Sequence, residues 1–433
     1  MINVKICDAI MGTGKSQSAI TYMNEHPNER FIYITPYLDE AKRIKLACPR
    51  LGFVEPSSKL PKYHFHKFEH SAALIAEGRN IATTHQAFKN YTPDVLENIR
   101  ELGYTLIIDE DVDVLENFQF RSDDLQIAVD AGYIKLEGDD YVAVCDKYKT
   151  GALSDLFRLF KSRRLIRMPG EQSKKERFLY WLLSPELITS FKRVFVLTYL
   201  FEAQSLHHLM EMYHISYEYI GVARDSETET GYRFTSYPGY VPEYVSNLKN
   251  MIHILDSSKL NSVGDERFAL SMTRVKNDDN ETERVRKNIY NCFNNIWRGI
   301  PKSERMCGTY KSGFGRLKGK GYTNSMLPFN LKATNDYRDK THLVYAANIF
   351  MNVTDKSFYQ QNGINVDEDM YALSIMVQWI WRSAIRDGKE IYLYIPSKRM
   401  RNILVNWINS FSTDSINEGG DAIERLEQQQ KVS

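Results

Sequence analysis

A chain of 433 residues, 43% hydrophobic and 26% charged, has the composition of a folded globular protein, and its length predicts two domains rather than one core. A net charge of +1 excludes a bulk positive field and leaves any nucleic-acid contact to local basic patches. Five scattered cysteines with no CxxC pair argue against a zinc site and a disulfide framework, and the lack of a long apolar run argues against a membrane span, so a soluble, cytoplasmic protein is expected.

The first predicted strand, Val4 to Cys7, leads into Ala-Ile-Met-Gly-Thr-Gly-Lys-Ser at residues 9–16, and a helix is expected over Gln17 to Asn24. Strand, glycine-containing loop and helix occur in the order that a Walker A phosphate loop requires. Gly12, Thr13 and Gly14 let consecutive backbone N–H groups curl around phosphates, Lys15 reaches the β and γ oxygens, and the Ser16 hydroxyl serves Mg²⁺. An ATP site follows from this pattern. Further βα units are expected at Phe31 to Thr35 with a helix over Leu38 to Ala47, and at Asn80 to Thr84 with a helix near His85 to Asn90. The next strand, Thr105 to Ile108, runs into Asp109 and Glu110, the pattern of a Walker B strand: Asp109 holds the metal shell and Glu110 acts as general base on the attacking water. Asp111 and Asp113 read as solvated acids unless they couple the site to the next element.

From about 116 to 186 the alternation breaks down, which predicts an insertion with a hairpin over Tyr133 to Val144 turning at Gly138-Asp139-Asp140. Its basic stretch, Lys161, Arg163, Arg164 and Arg167, then Lys174, Lys175 and Arg177, is a candidate for lining a nucleic-acid track or for ordinary surface. The sheet resumes at Val194 to Thr198, followed by a helix from Glu202 to Met212 on which His207-His208 reads as surface. Residues 1–224 then form a first domain, 225–250 a linker and 251–411 a second domain. A polar tail is expected at 412–433. The second domain is predicted to contain strands at Met251 to Leu255, Met306 to Tyr310, Leu327 onward and Glu390 to Ile395. Its helices are expected over Glu281 to Trp297, Met370 to Arg386 and Lys398 to Ile408.

Taken together, the two Walker motifs and the segments between them resemble the DEAD/DEAH-box proteins of helicase superfamily 2. Asp109-Glu110-Asp111-Val112 lies where that family's signature lies. Ile34-Thr35-Pro36-Tyr37 is similar to its motif Ia, and Ala82-Thr83-Thr84-His85 to the strand-end motif before Walker B. Val196-Leu197-Thr198 is similar to motif III without the usual Ser-Ala-Thr. In the second half, Gln378 to Arg386 resembles motif VI, with Trp381 at the usual central glycine and the second arginine one residue late.

The resemblance implies an α/β fold of two tandem RecA-like P-loop domains with parallel sheets and a small insertion in the first. It implies nucleic-acid contacts at Thr35, Pro36, Thr84, His85, Thr309, Lys332 and Thr334, coupling through Thr198, and completion of the catalytic site by Gln378, Arg382 and Arg386 on one helical face. Only eight residues precede Ala9, so the family's upstream adenine-reading element is expected to be absent.

The activity implied is ATP hydrolysis with Mg²⁺ by a phage or mobile-element type of helicase or translocase. DNA rather than RNA is the expected track; replication or recombination proteins are possible partners, and a monomer is plausible. A terminase-like packaging ATPase and an ATP-switched nucleic-acid-binding regulator are the alternatives. The former requires an acidic nuclease cluster, for which Asp367, Glu368 and Asp369 are the dense group available.

Overall fold

The computed structural model describes residues 3–63, 66–118, 122–138, 140–144, 154–167, 179–329 and 337–411. Its strands, in chain order, are β1 Asn3–Asp8, β2 Phe31–Thr35, β3 Ile81–Thr84, β4 Thr105–Asp109, β5 Leu115–Asn117, β6 Ile134–Glu137, β7 Asp140–Ala143, β8 Arg163–Arg167, β9 Leu179–Leu183, β10 Arg193–Thr198, β11 Glu218–Arg224, β12 Tyr232–Ser236, β13 Ile252–Ile254, β14 Arg305–Gly308, β15 Met326–Leu327, β16 His342–Tyr345 and β17 Ile391–Tyr394. The chain forms two compact units, one made of residues 1–240 with 352–366, the other of 241–351 with the remainder. No helix among the described residues is long and apolar enough to cross a membrane.

The first unit is built on a seven-stranded sheet in the order β12-β11-β1-β10-β4-β2-β3, parallel except for β12. Near-continuous apolar runs such as Phe31-Ile-Tyr-Ile and Leu106-Ile-Ile are covered on both faces, as a parallel sheet flanked by helices requires. Tyr33, Ile107, Phe195 and Leu197 pack with Ile20 and Met23 of the helix Lys15–Glu25 in one core. The register pairs Asp8 with Thr198, Leu197 with Asp109 and Thr35 with Thr84, so the polar strand ends gather at one edge of the sheet. That is where open parallel sheets bind ligands.

The insertion is a five-stranded antiparallel sheet, β5-β9-β8-β7-β6, whose β6–β7 pair is the hairpin expected around Gly138. Leu125, Ile134, Leu156, Phe157, Leu165 and Trp181 form its own core. Arg163, grouped in the sequence with a basic surface, is buried instead. It pairs with Glu116, which also holds buried Lys89 at 2.8 Å, and its Nε donates to the Lys89 carbonyl at 3.3 Å. A cation on the covered face of β8 needs an internal carboxylate. Arg164 is tied to Asp140 and to the Tyr213 hydroxyl. Lys174, Lys175 and Arg177 lie outside the described residues.

The expected linker is also partly sheet. Residues 232–236 form β12, Phe234 stacks on Phe195 with centroids 5.2 Å apart, and Thr230 bonds Thr21 of the first helix at 2.6 Å. The second unit holds a parallel sheet in the order β13-β17-β16-β14-β15, with Trp379, Phe329 and Tyr345 packed together. The whole is α/β, with one parallel-rich sheet in each unit.

Candidate nucleotide-binding site

β1 delivers the chain to the loop at Ala9, and the helix Lys15–Glu25 leaves it with Gly14 as its N-cap. Gly12 and Gly14 have φ of 86° and 96°, a left-handed region that side chains rarely adopt. A Cβ on Gly14 would also run into the Tyr232 ring, 2.6 Å from its Cγ. Tyr232 on β12 therefore packs directly on the glycine loop at residues 9–16. Thr13 is buried with its hydroxyl on the Ile10 carbonyl at 2.9 Å, so its contribution to an anion is confined to the backbone N–H.

Lys15 Nζ donates to the carbonyls of Ala9 and Ile10, the latter at 3.2 Å. Burial pushes this ammonium below its ordinary pKa, while Asp8, Asp109 and Glu110 act in the opposite direction. An ammonium so placed favours anions, and it stands beside the positive end of a helix.

Ser16 and Asp109, ninety-three residues apart, meet at the same edge. The Ser16 hydroxyl donates to Asp109 Oδ2 at 3.2 Å and Oδ1 at 3.4 Å. Tyr33 on β2 donates to Oδ2 at 2.6 Å. Burial raises the Asp109 pKa, and the bonds from Tyr33 and Ser16 oppose that rise. A hydroxyl and a carboxylate are hard oxygen donors, and octahedral Mg²⁺ sets neighbouring ligands about 2.9 Å apart. The pair fits that ion with little adjustment. Glu110 follows with φ 67°, an uncommon conformation for a non-glycine residue, and its N–H donates to the Leu197 carbonyl of β10 at 3.0 Å.

β10 lies between the loop strand β1 and the Asp109 strand β4. The Thr198 carbonyl accepts from Ala9 N–H at 3.1 Å, and its hydroxyl is bonded by Gln204. Asp8 accepts from the N–H groups of Leu200 and Phe201 at 2.9 and 3.0 Å, fastening the end of β1 to the turn after β10. Tyr33, Asp8 and Tyr232 escaped the sequence reading. Asp8, immediately before the loop, was the one with a positional signal.

The expected nucleic-acid contacts divide. Thr35 is 1% exposed and Thr309 fully buried, with the Thr309 hydroxyl donating to the Ala346 carbonyl at 3.0 Å. Both side chains fall on covered faces of their strand ends, which removes them as surface contacts. The His85 ring nitrogen Nε2 is bonded to the Asp109 carbonyl at 3.0 Å, and burial lowers its pKa to about 4, so it holds the end of β4 as a neutral ring. Pro36 and Thr84 are half-buried. Lys332 and Thr334 lie outside the described residues.

In the second unit the motif VI-like segment does not form one helical face. The helix Glu368–Ile380 stops before Arg382, and Arg386 lies on a separate 3₁₀ turn, Ala384–Asp387. Buried Ser383 accounts for the break: it adopts an extended ψ and donates its hydroxyl to the Ile380 carbonyl at 2.6 Å. Gln378, Arg382 and Arg386 are each half-buried. Burial lowers the Arg386 pKa, as do the nearby guanidinium groups of Arg338 and Arg382.

Two further expectations are corrected. His207 and His208 are 8% and 1% exposed, packed inside the first unit near Tyr217 and Tyr359. Asp111 accepts from the Ser205 hydroxyl and the Leu206 N–H, both at 3.4 Å, at the start of the helix Ser205–Met212. Burial, then Asp113, push its pKa up to about 7.

Residues 246–408 match the family model described as the YonV C-terminal Rossmann-like domain. The SPbeta prophage-derived uncharacterized protein YonV of Bacillus subtilis (strain 168) is 35% identical over 419 residues, spanning 95% of this chain and 100% of that protein. Among solved structures, S. tokodaii Xpd4 aligns at a TM-score of 0.45 and 12% identity, covering 94% of each chain. A hypothetical ATP-dependent RNA helicase from Sulfolobus tokodaii aligns at 0.25 and 9%, covering 91% of this chain and 87% of that one. Structural likenesses this distant carry no argument about activity.

Proposed function

The chain belongs to the family of the prophage protein YonV, and we propose that it is an ATP-hydrolysing helicase or translocase that acts on nucleic acid, DNA before RNA. The observation that carries the reading is the meeting of Ser16 and Asp109 at the mouth of a left-handed glycine loop that opens a helix. Backbone N–H groups of the loop and Lys15 bind the phosphates, and Ser16 with Asp109 holds Mg²⁺. Bound Mg²⁺ neutralises charge on the phosphate oxygens. Glu110, held by its bond to Leu197, orients and deprotonates the attacking water.

Roles for Gln378, Arg382 and Arg386 in hydrolysis, and for Pro36 and Thr84 along a strand, belong to the same proposal and rest on the motifs alone. The packaging alternative loses support, because the acidic group on which it depended has structural work. Asp367 caps the helix Glu368–Ile380 by accepting from the N–H groups of Asp369 and Met370 at 2.9 Å, and Asp369 is paired with Arg399.

The test is ATP turnover with and without single-stranded DNA, duplex DNA and RNA, followed by strand displacement on a partial duplex. Stimulation by one polymer with displacement supports the helicase reading. Turnover indifferent to every polymer contradicts it.

A further inference from the structure

The helix Ser205–Met212 gathers His207, His208 and Glu211 so that one potential ligand atom from each lies within 4.8 Å of the others. His207 Nε2 meets the Tyr217 hydroxyl at 3.1 Å, leaving Nδ1 without a hydrogen bond among the described residues. Among the described residues neither ring nitrogen of His208 has one, although the residue is 1% exposed. A buried polar atom left unsatisfied costs about 1–3 kcal/mol, so two such imidazoles side by side require a cause.

Both rings turn Nδ1 toward one oxygen. Glu211 Oε2 lies 3.5 Å from His207 Nδ1 and 3.8 Å from His208 Nδ1. A tetrahedral Zn²⁺ bound at about 2.0–2.2 Å spaces its ligand atoms about 3.4 Å apart, close to the two histidine–carboxylate distances, and all three donor atoms lie within 4.8 Å of one another. The Tyr217 contact is what such a site needs behind it. When His207 Nε2–H donates to the Tyr217 oxygen, the tautomer is fixed with the Nδ1 lone pair free. Glu211 is 43% exposed, which gives an ion a route from solvent and leaves a fourth position for water.

We propose that His207, His208 and Glu211 form a transition-metal site, selective for Zn²⁺ or a similar borderline ion over Mg²⁺ because two of its three donors are imidazoles. It uses none of the residues assigned to ATP and does not depend on that assignment.

The test is a titration of the metal-free full-length chain with Zn²⁺ by calorimetry, and with Co²⁺ by visible absorption. One ion per chain is expected, undisturbed by excess Mg²⁺. Glu211→Gln, on the exposed side of the cluster, and Tyr217→Phe should each weaken binding by about tenfold or more. His208→Ala should abolish it, but that core change risks the fold, so the two milder variants carry the decision. Absence of stoichiometric Zn²⁺ binding, displacement by Mg²⁺, or affinity unchanged in both Glu211→Gln and Tyr217→Phe overturns the site.

Discussion

Replacing Glu116 with Gln should destabilise the first unit far more than a surface charge change. The Lys89 and Arg163 side chains are 5% and 3% exposed, and Glu116, about a quarter exposed, is the carboxylate that both contact. Glu116→Gln keeps the shape but takes from two covered cations the carboxylate that both contact. Breaking a buried pair from one side costs about 3–5 kcal/mol, and the partial exposure of Glu116 places the expectation near the lower end.

The pH dependence has a definite sign. Burial pushes the Glu116 pKa up, but Arg163 and Lys89 outweigh it and hold the carboxyl below its ordinary value of 4.5. A depressed folded-state pKa gives stability that is fully present above the unfolded value and is lost as pH falls through the folded one. The wild-type advantage should therefore hold near neutrality and shrink below about pH 4.5. Trp181 is the one tryptophan of the first unit and lies in the core of the insertion. Urea unfolding of a 5-fluorotryptophan-labelled chain, read at Trp181, reports the difference. A loss smaller than about 1 kcal/mol at pH 7, or one that grows on acidification, would refute the buried-network account.

Glu110→Gln should retain ATP binding and lose steady-state turnover, since the amide keeps the shape but cannot take a proton; hydrolysis at the wild-type rate would remove Glu110 from the mechanism. Gly14→Ala should lower nucleotide affinity at least tenfold, because φ of 96° strains any side chain and the new methyl meets the Tyr232 ring. Equilibrium binding of a fluorescent ATP analogue checks this, and unchanged affinity would contradict the loop geometry.

What was legible in the sequence followed local pattern. The strands β1 to β4 and β10 announce themselves as short apolar runs ending in polar residues, and the glycine loop at residues 9–16 lies in one contiguous stretch. What was missed depends on distant chain. β12 reads as linker because the polar, turn-rich stretch Asp225 to Thr230 and the segment Pro238 to Pro242 flank it, whereas its strand character comes from pairing with β11 and from the stacking of Phe234 on Phe195. His207 and His208 look like surface on their own helix. They are covered partly because residues 352–366, with Tyr359, belong to the first unit despite lying in the second half of the chain. The helix expected to reach Arg386 stops at Ile380 because Ser383 turns its hydroxyl back on the helix end, and helical spacing of charges carries no trace of that. Asp109 was readable as a strand-end acid, but its bond to Tyr33 required the alignment of β2 beside β4.

Whether the loop at residues 9–16, with Asp109, is a working ATP site is read most directly by Mg²⁺-dependent ATP hydrolysis of the wild-type chain beside Lys15→Ala. Circular dichroism and unfolding midpoint confirm that the variant is folded. The wild type should release phosphate measurably, with none above background without Mg²⁺, and Lys15→Ala should lose turnover. A folded Lys15→Ala chain that hydrolyses ATP at the wild-type rate would contradict an ATP site there.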